Sequence, residues 1–207
     1  MYNYLFEKYT SAFEADTLSK ISLKEEFDNL LFRYKLPGRH YHNETHLSDI
    51  FHLYDQLSLC DSELILAVFY HDVIYEGLPF NYEMRSARYA KNSLTKLNLK
   101  SDRIQKIENF ILATKHFEPT IYSKDVGLFL DLDLSILGSS NEKYLNYASQ
   151  IRKENAILPE LIYKYLRKRV LNKILKKTFI YHTDFFRQRY EEQARINITG
   201  EIIKMIQ

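Results

Sequence analysis

The sequence has one cysteine (Cys60), no tryptophan, five glycines and four prolines in 207 residues. A single thiol excludes an internal disulfide framework and any cysteine-built zinc site, and a reduced cytoplasmic compartment is the expectation. So few glycines and prolines exclude a collagenous or low-complexity chain. With 45% apolar and 27% charged residues, the composition is that of a globular, helical protein. The net charge is only +2, so no global field argues for nucleic acid or for a membrane surface. The longest uninterrupted apolar run, Leu64 to Tyr70, is far too short to span a bilayer. The opening Met1-Tyr2-Asn3-Tyr4 lacks the basic and apolar regions of a signal peptide. No internal repeat, low-complexity segment or linker divides the chain.

What is present is helical periodicity. Tyr4, Leu5, Tyr9 and Phe13, then Ile21, Leu23, Phe27, Leu30, Leu31 and Tyr34, predict two packing helices within residues 3–35, ending before Pro37-Gly38. Asn43 is a candidate N-cap for a helix to about Ser58, and Asp61 or Ser62 for one from Glu63 to about Ile74. Further helices are expected over Asn81–Leu97, from a Ser101 cap, within 121–137, from Asn141 to Lys153, from Glu160 to Thr178, and from a Thr183 cap to about Met205. Glu76 to Pro79 reads as a loop. No stretch alternates with period two for long enough to form a sheet. The expectation is a single all-α bundle of roughly 8–10 helices, with packing helices in 1–35, a core in 39–138 and C-terminal helices in 141–207.

Three places break the helical grammar. The apolar run through Ala67-Val68-Phe69-Tyr70 ends in His71-Asp72, two good metal ligands at the edge of a core segment. Burying them costs desolvation unless a charge lies beside them. His42 and His46 are four apart, on one face if a single helix holds both. The zincin patterns need glutamate at 43 or at 45, where Asn43 and Thr45 stand, so a zincin protease is disfavoured. Finally, Phe129-Leu130-Asp131-Leu132-Asp133-Leu134 sets two carboxylates inside an apolar run. Any one of these has an ordinary explanation, as a cap or a core hydrogen-bond acceptor. Their coincidence points to a metal site.

The ordered set His…His-Asp…Asp resembles the signature of the HD superfamily of metal-dependent phosphohydrolases, closest to its bacterial subgroup of predicted metal-dependent HD phosphohydrolases. The matching segments are Arg39-His40-Tyr41-His42-Asn43-Glu44-Thr45-His46, Tyr70-His71-Asp72, Asn81-Tyr82-Glu83-Met84-Arg85-Ser86 and 129–138. Tyr181-His182-Thr183 and Glu191 to Asn197 complete them, so the likeness covers most of the chain. The subgroup spells the late motif with alanine between its aspartates; Leu132 departs from that.

The resemblance implies His46, His71, Asp72 and one of Asp131 or Asp133 as ligands, with Asp133 preferred and Asp131 then a supporting acceptor. His42 in place of His46 is the alternative. It implies one divalent ion, for which two imidazoles and two carboxylates suit Mn, Fe, Co, Ni or Mg better than a closed structural zinc site. Such an ion lowers the pKa of a bound water and polarises a phosphoryl oxygen. The substrate class implied is a nucleotide or another small phosphorylated metabolite. Arg39, His40, His42 and Lys115 are candidates to bind its phosphate. Asp72 and Glu83 are candidates for catalytic roles, Glu83 by orienting water or protonating the leaving group. His116 is the candidate for a second ion, and Arg195 either faces the pocket or pairs with Glu191 at helical spacing. The competing expectation is a non-catalytic module that senses a nucleotide or holds a metal. Nucleic-acid binding by the basic Arg167–Lys177 stretch is disfavoured, because its apolar stripe reads as core and its charges as a solvated face. A homo-oligomer is left open.

Overall fold

The computed structural model describes residues 1–13, 20–75, 81–115 and 123–205. It is all-α, with ten α-helices and no strand among the described residues. The helices are α1 (Tyr2–Ser11), α2 (Lys20–Tyr34), α3 (Glu44–Gln56), α4 (Ser62–Tyr70) and α5 (Tyr82–Lys96). They continue as α6 (Ser101–Ala113), α7 (Lys124–Asp133), α8 (Asn141–Glu154), α9 (Glu160–Leu175) and α10 (Asp184–Lys204), with a 3-10 turn, Leu134–Gly138, after α7.

Local chemistry starts four of these helices. The side chains of Asn43, Asp61, Ser123 and Ser140 accept hydrogen bonds from the amides of Thr45, Leu64, Val126 and Lys143, satisfying donors that have no partner inside the helix. Ser101, expected as a cap, is instead the first residue of α6, after Lys100. Thr183 stands at the N-cap of α10, as expected, but makes no side-chain cap bond; its hydroxyl donates to Asp131.

Helix α4 is the centre. Leu64 to Tyr70 are all buried, and α1, α3, α5, α6 and α7 pack around it. A helix apolar on every side is stable only when enclosed. Each of its large side chains contributes about 1.5–3 kcal/mol by leaving water. Phe69 meets Tyr9 and Phe51 with ring centroids at 5.3 and 4.8 Å.

Three expected helices end early, each where a distant side chain takes their carbonyls or amides. α4 stops at Tyr70 rather than Ile74. Arg39 donates to the carbonyls of Asp72 and Val73 at 2.7 and 3.0 Å, and the Ile74 amide donates to Ser86 Oγ. α9 stops at Leu175 rather than Thr178, where Arg195 takes the carbonyls of Leu175, Lys177 and Thr178. α7 tightens into the 3-10 turn at Leu134, and Asn197 Nδ2 donates to the carbonyls of Leu137 and Ser139. There Gly138 lies so close to α10 that a Cβ on it would stand 2.6 Å from the Tyr190 carbonyl oxygen.

The basic α9 is not a uniformly solvated face. Arg169, Lys173 and Lys176 are exposed, but the Arg167 side chain is largely enclosed and donates through Nε to Glu201 of α10 at 2.8 Å. No described helix is long and apolar enough to cross a membrane.

Candidate metal centre

The start of α3, the end of α4 and the end of α7 meet at one point. His46 lies in the first turn of α3, His71 is the residue that ends α4, and Asp133 is the last residue of α7. One ligand atom from each falls within 4.8 Å of the others. His46 Nε2 is 3.4 Å from His71 Nε2 and 3.4 Å from Asp133 Oδ1; His71 Nε2 is 3.5 Å from Asp133 Oδ1. Asp72, one residue past the helix end, brings Oδ2 to 2.9 Å from His71 Nε2.

These atoms cannot satisfy one another. The Val68 carbonyl accepts from His71 Nδ1 at 2.8 Å, so Nδ1 carries the hydrogen and the neutral ring has its lone pair on Nε2. That lone pair faces a second imidazole nitrogen and two carboxylate oxygens. Only a cation resolves the arrangement. A proton is one solution: burial opposes protonation of His71, yet Asp72 and Asp133 outweigh it and hold its pKa well above the ordinary histidine range. Burial likewise opposes ionisation of both aspartates, but their histidine neighbours keep both well below the usual carboxylate range. A divalent ion is the other solution. Ligands about 2.1 Å from one ion lie roughly 3.0–3.4 Å apart at octahedral to tetrahedral angles. The separations within the group of His46, His71 and Asp133, 3.4 to 3.5 Å, lie close to that spacing, while Asp72, expected as a fourth ligand, approaches His71 but stands outside that group. The N/O donor set suits Mn, Fe, Co, Ni or Mg. The residues present fit the ion.

The centre has a dry side and an open side. The side chains of His46 and His71 are 3% and 1% exposed, those of Asp133 and Asp72 15% and 20%. His42 stands on the open side, its Nε2 3.9 Å from Asp72 Oδ2 and its side chain 17% exposed. It precedes α3, so the condition for a shared helix face with His46 is not met, although the two rings meet edge to face with centroids 5.9 Å apart.

The remaining sequence candidates divide. Asp131 is fully buried and turned away from the cluster: Oδ1 accepts from the His182 amide, and Oδ2 from the amide and hydroxyl of Thr183, each at 2.7 Å. Two residues along a helix is a rotation of roughly 200°, which sends Asp131 to the start of α10 and Asp133 to the cluster. Arg39, expected to grip phosphate, spends Nη1 and Nη2 on the carbonyls of His42, Asp72 and Val73, while its Nε is buried without a partner. It fastens the loop before α3 to the turn after α4. Arg195 is also structural, paired with Glu191 and closing the end of α9. His40 is exposed and lines a cleft of about 290 Å³ beside His46, with Lys143 on its other wall. Glu83, in the first turn of α5, and Lys115, exposed just past α6, do not join the cluster among the described residues. His116 and the Glu76–Pro79 loop lie outside the described residues.

Sequence reading passed over Glu154. It ends α8, is buried, and binds the loop that carries His42. One signal pointed to it: a carboxylate in the last turn of a helix opposes the macrodipole and needs donors from elsewhere.

Compared with known proteins, the chain matches no protein-family model, no curated protein and no solved structure.

Proposed function

We propose that the chain is a metal-dependent phosphohydrolase of the HD type, hydrolysing a phosphate ester or anhydride of a nucleotide or other small phosphorylated metabolite. One divalent ion, Mn, Fe, Co, Ni or Mg, would be held by His46, His71, Asp133 and Asp72. The observation that carries this reading is the convergence of ligand atoms: two Nε2 atoms and Asp133 Oδ1 within 3.5 Å of one another, with Asp72 Oδ2 beside His71. When bound, the ion supplies an acidified water and a Lewis acid toward a phosphoryl oxygen.

The chain's own residues would do the rest. Val68 fixes the tautomer of His71, presenting Nε2 as a ligand. The apolar α4 behind His71 excludes water from the dry side. A phosphoryl group then has one approach, the edge of Asp72, Asp133 and His42, where the lone pair on His42 Nε2 would accept a proton from water beside the phosphoryl group.

The test is metal analysis of the purified protein, followed by a panel of phosphate esters and anhydrides assayed with each metal. Metal-dependent phosphate release that disappears together with metal uptake in Asp133→Ala is the expected result. An Asp72→Ala protein that is active without metal would overturn the reading. Tight, metal-dependent nucleotide binding without release would replace it with the sensory module.

A further inference from the structure

Glu154 is a carboxylate in an adverse place. It sits in the last turn of α8, against the macrodipole, with its side chain wholly enclosed. A buried carboxylate without donors is costly, but this one has four. Oε1 accepts from the amides of His40, Tyr41 and His42 at 2.9, 2.7 and 2.9 Å, and Oε2 accepts from His42 Nδ1 at 2.7 Å. Three successive amides on one oxygen make a concave anion cradle. The loop before α3 is wound around this side chain.

The fourth bond has a separate consequence. An ionised carboxylate can only accept, so the hydrogen of His42 is on Nδ1. The other ring nitrogen, Nε2, is thereby aimed away from Glu154 and lies 3.9 Å from Asp72 Oδ2. The Tyr75 ring, centroids 4.1 Å apart, closes off the imidazole face. The same loop lays Tyr41 against the ring of His46, centroids at 4.7 Å.

We infer that Glu154 is a positioning residue of the centre: it fixes the tautomer and direction of His42, so that Nε2 faces the open edge beside Asp72. The orientation of His42 stands on the geometry alone; only the phosphoryl group it would meet rests on the function proposed above.

Glutamine at 154 separates this role from that of a plain loop staple. Its carbonyl still accepts from the three amides, so a staple survives. Its NH₂ group, however, presents a donor to His42 and drives the ring hydrogen onto Nε2, reversing what the open edge sees. The experiment is ¹⁵N NMR of the histidine rings in the full chain, wild type and Glu154→Gln, with metal uptake and turnover measured on the same samples. In the wild type the His42 hydrogen is expected on Nδ1. In Glu154→Gln it should move to Nε2, and kcat should fall about 10- to 100-fold while metal uptake persists. A folded Glu154→Gln with the wild-type tautomer and wild-type kcat would overturn the inference. If that variant does not fold, the wild-type spectrum still decides, since a wild-type hydrogen on Nε2 overturns the inference by itself. The expected tautomer shift in a protein that cleaves no ester or anhydride would uphold the positioning role and remove the phosphohydrolase reading. Turnover with no tautomer shift would do the reverse.

Discussion

Two clusters of buried charge, one between α3, α4 and α7 and one between α8, α9 and α10, are built on opposite terms. In the second, Glu201 accepts from Arg167 Nε and Nη2 and from the Tyr144 hydroxyl, while Arg167 Nη1 reaches Tyr147. Every charge meets its opposite, and the pair is shut from water, with side chains 9% and 8% exposed. In the first cluster, ring nitrogens and carboxylate oxygens point at one another and, among the described residues, no Lys or Arg side chain is paired with them. A satisfied cluster holds helices together. An unsatisfied one is retained at the expense of stability, which is how a binding site differs from a staple.

That contrast can be broken most forcefully at Glu201. Glu201→Ala leaves Arg167 buried and uncompensated and should cost about 3–5 kcal/mol in urea unfolding, with metal uptake unchanged below the transition. Metal uptake lost in the folded variant would mean the two clusters are not separate.

A finer cut lies within α7. Metal at a hundred times its Kd should stabilise the wild type by about 2.7 kcal/mol, read as a shift of the melting curve. Asp133→Ala should abolish that shift. Asp131→Asn should melt earlier, having lost charge-assisted bonds to α10, and keep it. Equal behaviour of the two variants would erase the distinction between them.

The gentlest test is pH on metal-free protein. Burial opposes ionisation of Glu154, but His42 and the loop amides lower its pKa. Its contribution is therefore complete above its ordinary 4.5 and lost as pH falls through the lowered folded value. Burial opposes protonation of His71, but Asp72 and Asp133 raise its pKa, so its contribution is complete below its ordinary 6.5 and lost as pH rises through the raised folded value. Stability should be greatest between these two values and decline on both sides, checked by melting temperature across pH. Metal should reverse the alkaline decline, because deprotonated ligands bind it better. An alkaline decline that persists with saturating metal would refute the exchange of proton for ion.

Much of the helical layout was legible because apolar spacing is a local signal. Leu64 to Tyr70 announce a buried helix by themselves, and Asn43 and Asp61 announce starts. The three-residue cluster was legible for a related reason: His71 and Asp133 are out of place in their own apolar runs. What escaped depends on partners far along the chain. Arg39 resembles any surface arginine until residues 72 and 73 are folded against it. Glu154 meets its loop across 112 residues, and Arg167 meets Glu201 across 34. No window of sequence contains either pair, so the basic stretch of α9 read as evenly solvated.

The seat of Asp131 also bears on the order of synthesis. All the proposed ligands have been translated once Asp133 is made. Yet the segment carrying Asp133 is moored by amides 51 and 52 residues further on, by Tyr190 against Gly138 and by Asn197. A nascent chain emerging N-terminus first therefore holds its imidazoles and carboxylates in loose register until α10 arrives. The support of the centre is complete only with α10 in place, although its residues are translated well before that helix.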